Sequence, residues 1–188
     1  SIVVPCYNEE AVLPETAKQL LLLVESLNKA GEIGAQSEIR FVDDGSRDAT
    51  WQVIESLAAK HRWIRGVKLA HNSGHQLALL AGLTTSQGDA VVSIDADLQD
   101  DVTAIARMLD AYKRGHDIVY GIRDNRSVDT SFKRFSAKAY YRLLRAMGVD
   151  VVYNHADFRL LSRRALNELL KYEEVNLFIR GLIPRIGF

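Results

Sequence analysis

A single cysteine in 188 residues, Cys6, leaves the chain no intrachain disulfide and no multi-cysteine metal site. Net charge is lacking too: 24 Lys and Arg balance 24 Asp and Glu, which removes the electrostatic footprint of a general nucleic-acid binder. Long apolar runs are missing. The longest, 20–24 and 77–82, fall far short of the roughly 20 residues needed to span a bilayer. Neither Gly-x-x-x-x-Gly-Lys-Ser/Thr nor Gly-x-Gly-x-x-Gly occurs, so a P-loop ATPase or a dinucleotide enzyme has no support. Internal repeats and low-complexity segments are absent as well.

What remains is ordinary globular composition, 47% apolar and 26% charged. At about 150 residues per domain the length predicts one domain, 1–188, which buries roughly 70% of its unfolded surface. The chain opens inside an apolar run at 1–4 without an initiator Met and stops at Ile186-Gly187-Phe188. The expectation is a domain cut from a longer chain.

Short, mostly apolar runs at 2–4, 38–42, 64–69, 90–94 and 118–120 predict strands buried on both faces. Helical periods separate them. Pro14 fits a first helical position and Gly31 a C-terminal cap around 15–30. Asp48 or Ser46 caps a helix running to His61, Ser73 or Gly74 opens one through Thr85, and Asp100 or Asp101 opens one ending before Gly115. This alternation predicts an α/β fold with a mainly parallel, doubly wound sheet. Further on, 130–147 reads as a long helix mixing Phe132, Phe135, Tyr140 and Tyr141 with Lys133, Arg134, Lys138, Arg142 and Arg145. A strand at 158–161 and helices at 163–171 and 177–183 follow, as an elaboration of the same domain.

In open α/β sheets, ligands bind outside the carboxyl ends of the strands. Strand one runs into Pro5-Cys6-Tyr7-Asn8-Glu9-Glu10, strand two into Asp43-Asp44-Gly45-Ser46, and strand four into Asp95-Ala96-Asp97-Leu98-Gln99. Three acidic clusters would then meet at one crevice, where they raise each other's pKa unless a cation intervenes. Oxygen-only ligands point to Mg²⁺ or Mn²⁺ and away from zinc. Extended backbone puts the side chains of Asp95 and Asp97 on one face, within reach of one ion. Taken singly, each cluster also reads as a turn or a helix cap.

His71 and His75 lie four apart, with Gly74 between them and no carboxylate close in sequence, so a cap or a ligand-binding loop is the reading there. Cys6, lacking a general-base pattern, reads as a buried thiol.

The ordered set of motifs is similar to that of the inverting, GT-A-fold glycosyltransferases. Within that group it most resembles the polyprenyl-phosphate glycosyltransferases, which include bactoprenol glucosyltransferase and dolichol-phosphate mannose synthase. The narrower likeness rests on Asp97-Leu98-Gln99, His71-Asn72-Ser73-Gly74-His75, Tyr120-Gly121-Ile122-Arg123, Asp157-Phe158-Arg159-Leu160 and Phe178-Ile179-Arg180-Gly181, and it spans nearly the whole chain. The resemblance implies transfer of a hexose from a nucleotide sugar of UDP-glucose or GDP-mannose type to a polyprenyl phosphate. It implies that Pro5, Tyr7 and Glu9 line the nucleoside pocket, with Asp44 near the base and Asp95 near the ribose or metal. Asp97 and Gln99 would hold the cation against the donor diphosphate, and Asp157 would be the catalytic carboxylate. It also implies C-terminal transmembrane helices beyond this chain and a place on the cytoplasmic face of a membrane.

Arg123, Arg126, Lys133 and Arg134 suit an acceptor phosphate, and the aromatic-rich basic helix suits a membrane surface, although such charges also simply solvate a helix face. Other readings differ in class. Asp95-Ala96-Asp97 superficially matches aspartyl phosphatases, but those place the pair on an early strand and follow it with Thr or Val. A GT-A enzyme with a saccharide acceptor is a second alternative, although the Gln-x-x-Arg-Trp run common among polysaccharide synthases is absent. A third is a catalytically silent module that binds nucleotide sugars.

Overall fold

The structure, a computed structural model, describes residues 1–122, 155–172 and 178–188. Among these residues one sheet contains β1 (Ile2–Cys6), β2 (Ile39–Asp43), β3 (Ile64–Lys68), β4 (Ala90–Ser93), β5 (Ile118–Ile122) and β6 (His155–Ser162). Its spatial order is β3-β2-β1-β4-β6-β5. The ladders β1–β2, β2–β3 and β1–β4 are parallel, as the alternating pattern predicts. β6 lies antiparallel between β4 and β5, so five strands point one way and one points back. This reversal was not legible in the sequence, because the buried apolar run of β6 looks the same in either direction. β1, β5 and β6 also extend beyond their expected bounds, through Cys6, Ile122 and 155–162, since ladder partners continue past each apolar run.

Helices cover both faces. α1 (Leu13–Lys29), α2 (Thr50–Lys60) and α4 (Ala104–Lys113) pack on one side through Leu20, Ile54, Ile105 and Met108, against Val4, Phe41 and Val92. α3 (His75–Thr85), α5 (Arg163–Leu169) and α6 (Ile179–Leu182) cover the other through Leu79, Leu166 and Ile179, against Val3, Val42 and Val91. Adjacent strand residues such as Val3 and Val4 feed opposite cores, as the period of two requires.

Several helix starts lie one to three residues from the positions that the local signals predict. α1 starts at Leu13, one residue before Pro14, and proline is still tolerated because first-turn N–H groups have no helical partner. Its C-terminus closes as expected: Gly31, at φ 73°, donates to the carbonyl of Asn28 (3.0 Å) and Glu32 donates to that of Leu27 (2.9 Å), a Schellman closure. The cap of α2 is Ala49 and not Asp48 or Ser46, because Oδ1 of Asp48 is already taken by the N–H (3.0 Å) and hydroxyl (2.6 Å) of Thr50. Thr103 caps α4 in place of Asp100 or Asp101, since Asp101 spends its carboxylate on a turn with Thr103. For α3 the cap is Gly74, one of the two expected residues. The expected helix at 130–147 lies outside the described residues.

Candidate active site

The β1–β4 ladder is short, pairing only Ile2 with Val92 and Val3 with Ser93, and its last bond runs from the Ile94 N–H to the Val3 carbonyl (3.1 Å). Beyond it the strands part. The chain moves from β1 outward to β2 and β3 and returns to β4 on the opposite side, so this gap is a topological switch point. Pro5 sits where its missing N–H costs nothing. Ile2 points its N–H toward β2, Val3 and Pro5 face the β4 edge, and by Pro5 that edge has no ladder left.

The gap opens into a cleft of about 270 Å³. Pro5, Tyr7 and Glu9 line it from the end of β1, Asp44 from β2, Gly74 and His75 from the start of α3, and Asp95 and Asp97 from the loop after β4. All five residues expected at the donor, and Asp97 of the metal set, are thus brought together.

Asp44 is buried, and its carboxylate accepts from the backbone N–H groups of Ser73 (2.7 Å) and Gly74 (2.9 Å). It thereby fixes the loop that leads into α3. Gly45 makes this approach possible: its φ is 64°, and a Cβ there would lie 2.5 Å from the carbonyl carbon of His71. Cys6 is buried, as expected, and burial pushes its thiol pKa up, which makes it inert.

Acidic residues do crowd the cleft. Burial raises the pKa of Glu9, and the charges of Asp97, Asp48 and Asp95 push it further. Asp95 is raised by burial first, with Asp157, Asp97 and Asp100 adding to the shift while His75 opposes it. The site is therefore short of positive charge on the Asp95–Asp97 side. Among the described residues no group of three or more His, Cys, Asp or Glu side chains is placed to hold a metal ion. The donors on offer are two carboxylates, which fit a hard cation that takes its other ligands from phosphate and water.

Gln99 is placed differently from the expectation. Leu98 adopts φ 58°, a left-handed conformation uncommon for a non-glycine residue, and turns the chain. The Gln99 N–H then donates back to Oδ1 of Asp97 (3.0 Å). Gln99 lines a neighbouring cavity of about 700 Å³ between α4 and β5, with Arg107, Tyr120 and Ile122, and not the cleft of Asp95 and Asp97.

Asp157 enters through the reversed strand. Ser93 pairs with Arg159 in the antiparallel β4–β6 ladder, so Asp95, two residues after Ser93, comes abreast of Asp157, two residues before Arg159. The Ser93 hydroxyl donates to the Asp157 carbonyl, holding the strand ends together. The carboxylate is buried and does not line the cleft. Its Oδ1 is paired with the Arg159 guanidinium, and its Oδ2 lies 3.2 Å from Nε2 of His75 and 3.2 Å from Nη2 of Arg180. Burial alone would raise its pKa, but the His75 hydrogen bond and the charges of Arg159 and Arg180 prevail and hold it well below the usual carboxylate range. The Asp157 bond in turn raises the His75 pKa against the effect of burial, with Asp95 contributing.

In the sequence reading Arg159 and Arg180 carry no role beyond their motifs, and His75 only that of a cap or a ligand-binding loop. His75 lacks a carboxylate nearby in sequence, yet tertiary structure gives it two, Asp157 at 3.2 Å and Asp95 at 3.8 Å. Arg159 was detectable in principle, since it shares a strand face with Asp157 at a spacing of two. Arg180 had no such signal and arrives from α6. Arg123, Arg126, Lys133 and Arg134 lie outside the described residues.

The sequence signature of glycosyl transferase family 2 matches residues 1–170. An uncharacterized glycosyltransferase of Bacillus subtilis, YkoT, is 50% identical over 190 aligned positions, covering all of this chain and 56% of the relative. The bactoprenol glucosyl transferase of Shigella phage SfX is 36% identical over 188 positions, again all of this chain and 60% of the relative. Among solved structures, glucosyl-3-phosphoglycerate synthase of Mycobacterium tuberculosis, crystallised with Mn²⁺, UDP and glucosyl-3-phosphoglycerate, superposes with a TM-score of 0.63 at 22% identity, covering 89% of this chain and 57% of the other. The mannosyltransferase PcManGT of Pyrobaculum calidifontis, in complex with GDP-Man and Mn²⁺, gives 0.57 at 21% identity, covering 89% and 45%.

The chain belongs to glycosyl transferase family 2 and is a glycosyltransferase domain of the GT-A fold, as the resemblance implied. It spans 56% to 60% of the length of these two curated relatives.

Proposed function

We propose that this domain transfers a hexose from a nucleotide sugar to a polyprenyl phosphate, with inversion at C1 and with Mg²⁺ or Mn²⁺ as cofactor. The observation that carries this reading is the 36% identity to bactoprenol glucosyl transferase across the full length of this chain. The cleft supports it, because pocket walls for a nucleoside and two carboxylates for an ion share one strand-end gap. The Mn²⁺-bound and nucleotide-bound neighbours of the same fold agree.

Pro5, Tyr7 and Glu9 wall the nucleoside, and Asp44 shapes the pocket floor by fixing the 73–74 backbone. Asp95 and Asp97 hold the cation, with Gln99 supporting the turn that carries Asp97. Bound there against the donor diphosphate, the ion would offset the negative charge of the departing nucleotide. An oxygen of the acceptor phosphate forms the new bond to C1. The bond from C1 to the diphosphate oxygen breaks, and its electron pair leaves with the nucleoside diphosphate. A phosphate monoester is already mostly ionised at neutral pH, so the chain's carboxylates need not take a proton from it. Arg123, Arg126, Lys133 and Arg134 hold the acceptor phosphate at the cytoplasmic face of a membrane, with the aromatic-rich segment against the lipid surface. No helix among the described residues is long and apolar enough to cross a membrane.

The test is a donor screen. Purified protein is incubated with polyprenyl phosphate in detergent and, in turn, UDP-glucose, UDP-galactose, UDP-N-acetylglucosamine and GDP-mannose, and the lipid fraction is assayed for sugar. One donor yielding a lipid-linked product sustains the reading. A water-soluble saccharide used as efficiently as the lipid replaces it with the saccharide-acceptor alternative.

A further inference from the structure

The cluster around Asp157 divides into a part that faces the cleft and a part that does not. His75 lines the cleft and its side chain is 44% exposed, whereas the Asp157 side chain is 8% exposed and lies behind it. The Asp157 carboxylate is engaged on both oxygens by Arg159, Arg180 and His75. Arg159, 1% exposed, anchors it from within the sheet. A carboxylate so paired is a poor proton acceptor, and an ionised phosphate acceptor brings no proton that must be removed. What Asp157 does hold is the imidazole. His75 is the first residue of α3, immediately after Gly74, whose N–H is clamped by Asp44. Its backbone is thus fixed from one side and its ring from the other. The ring edge stands within 3.8 Å of Asp95, beside the carboxylates assigned to the donor diphosphate and its cation.

We propose that His75 is the residue of this cluster that touches the donor, contacting its diphosphate oxygens, and that Asp157 is a positioning residue acting through His75. The inference rests on the function proposed above in taking a nucleotide sugar as the ligand of the cleft. A basic side chain next to two carboxylates suits the ends of a diphosphate that a cation does not cover. Preorganising that side chain with a buried partner avoids reorganisation at the moment the leaving group gains charge.

A double-mutant cycle tests it, using His75→Gln, Asp157→Asn and the combined variant, with turnover read as nucleotide release. If Asp157 works through His75, each single change lowers turnover tenfold or more and the double variant falls no more than about threefold below the worse single. Losses that multiply overturn the proposal, as does full turnover in His75→Gln. A second measurement needs no turnover and guards against misfolding of Asp157→Asn. The imidazole resonances of His75, followed by NMR in metal-free protein, should shift on titration with UDP or GDP. In Asp157→Asn the shift should shrink while calorimetry still detects the nucleotide. Unmoved resonances in the parent protein with nucleotide bound, or a shift produced only by a short-chain prenyl phosphate, overturn the assignment. Because these readouts depend on the nucleotide, a failed lipid-acceptor assay would discredit the acceptor reading and leave this one decidable.

Discussion

Gly74 stands thirty residues from Asp44 in the chain, yet its N–H donates to Oδ2 of that carboxylate at 2.9 Å, beside a 2.7 Å bond from Ser73 to Oδ1. One buried side chain therefore sets the position of the helix that carries His75. Asp44→Ala would leave the Ser73 N–H without its acceptor and the Gly74 N–H with only Oδ1 of Asn72 (3.1 Å), at about 1–3 kcal/mol for a donor that water does not reach. Urea unfolding should show that loss, and calorimetry should show weaker nucleotide binding. Asp44→Asn, which keeps one acceptor, should lose about half as much stability.

Gly45→Ala should be worse than Gly31→Ala, although both glycines have positive φ. At Gly31 nothing lies within 4 Å of a new Cβ, so only the left-handed backbone cost of about 1–2 kcal/mol applies. At Gly45 the Cβ would meet backbone atoms of His71 and Asn72 at 2.5 and 2.6 Å, which cannot yield without moving the loop. Chemical denaturation should rank the two, and only Gly45→Ala should impair nucleotide affinity.

Asp97→Ala should separate activity from stability. The side chain is exposed and makes one local bond, to the Gln99 N–H, so unfolding free energy should change by no more than about 0.5 kcal/mol. Turnover should drop by several orders of magnitude, as cation stabilisation of the leaving group is worth several kcal/mol. Excess EDTA should silence the parent enzyme. Full activity in EDTA would remove the metal from the mechanism.

The cleft should make the metal-free protein less stable as pH rises from about 6 to about 8. His75 binds its proton more tightly than the ordinary value of 6.5 because of its bond to Asp157, partly countered by burial. Its contribution is fully present below the unfolded pKa and is lost as pH climbs through the higher folded value. Burial and crowding raise Asp95 and Glu9, so ionising them also costs stability as pH rises through their folded values. Asp157, held low, contributes above the ordinary carboxylate pKa and loses that contribution only as pH falls through its depressed folded value. Thermal midpoints measured across this range should fall with pH in the parent and flatten in His75→Gln. A rising midpoint would contradict the assignment.

Replacing Lys133 and Arg134 together by alanine should raise the apparent KM for polyprenyl phosphate severalfold and leave that for the nucleotide sugar unchanged. Binding to anionic vesicles should weaken in the same variant and fade with salt, since each basic residue near such a surface contributes about 1 kcal/mol. Equal effects on both substrates would detach these residues from the acceptor.

Local chemistry made much of the molecule readable from its residues. The first five strands follow from short apolar runs, the end of α1 from Gly31, and the donor cleft from acidic residues at alternate strand ends. Pro5, Tyr7, Glu9, Asp44, Asp95 and Asp97 do meet there, because a parallel sheet aligns those ends whatever the details of packing. Three features were not legible in the sequence, two of them because they depend on contacts across long separations. β6 runs against its neighbours, and only that reversal sets Asp157 beside Asp95. His75 reaches Asp157 across 82 residues, and Arg180 reaches it from α6, a helix on the same face as α3. Gln99 leaves the cleft because Leu98 turns left-handed, a choice the sequence around it does not announce. Strand polarity and the pairing of buried charges leave no periodic trace in a sequence. They are decided by which hydrogen-bond edges and which buried ions find partners once the core has closed.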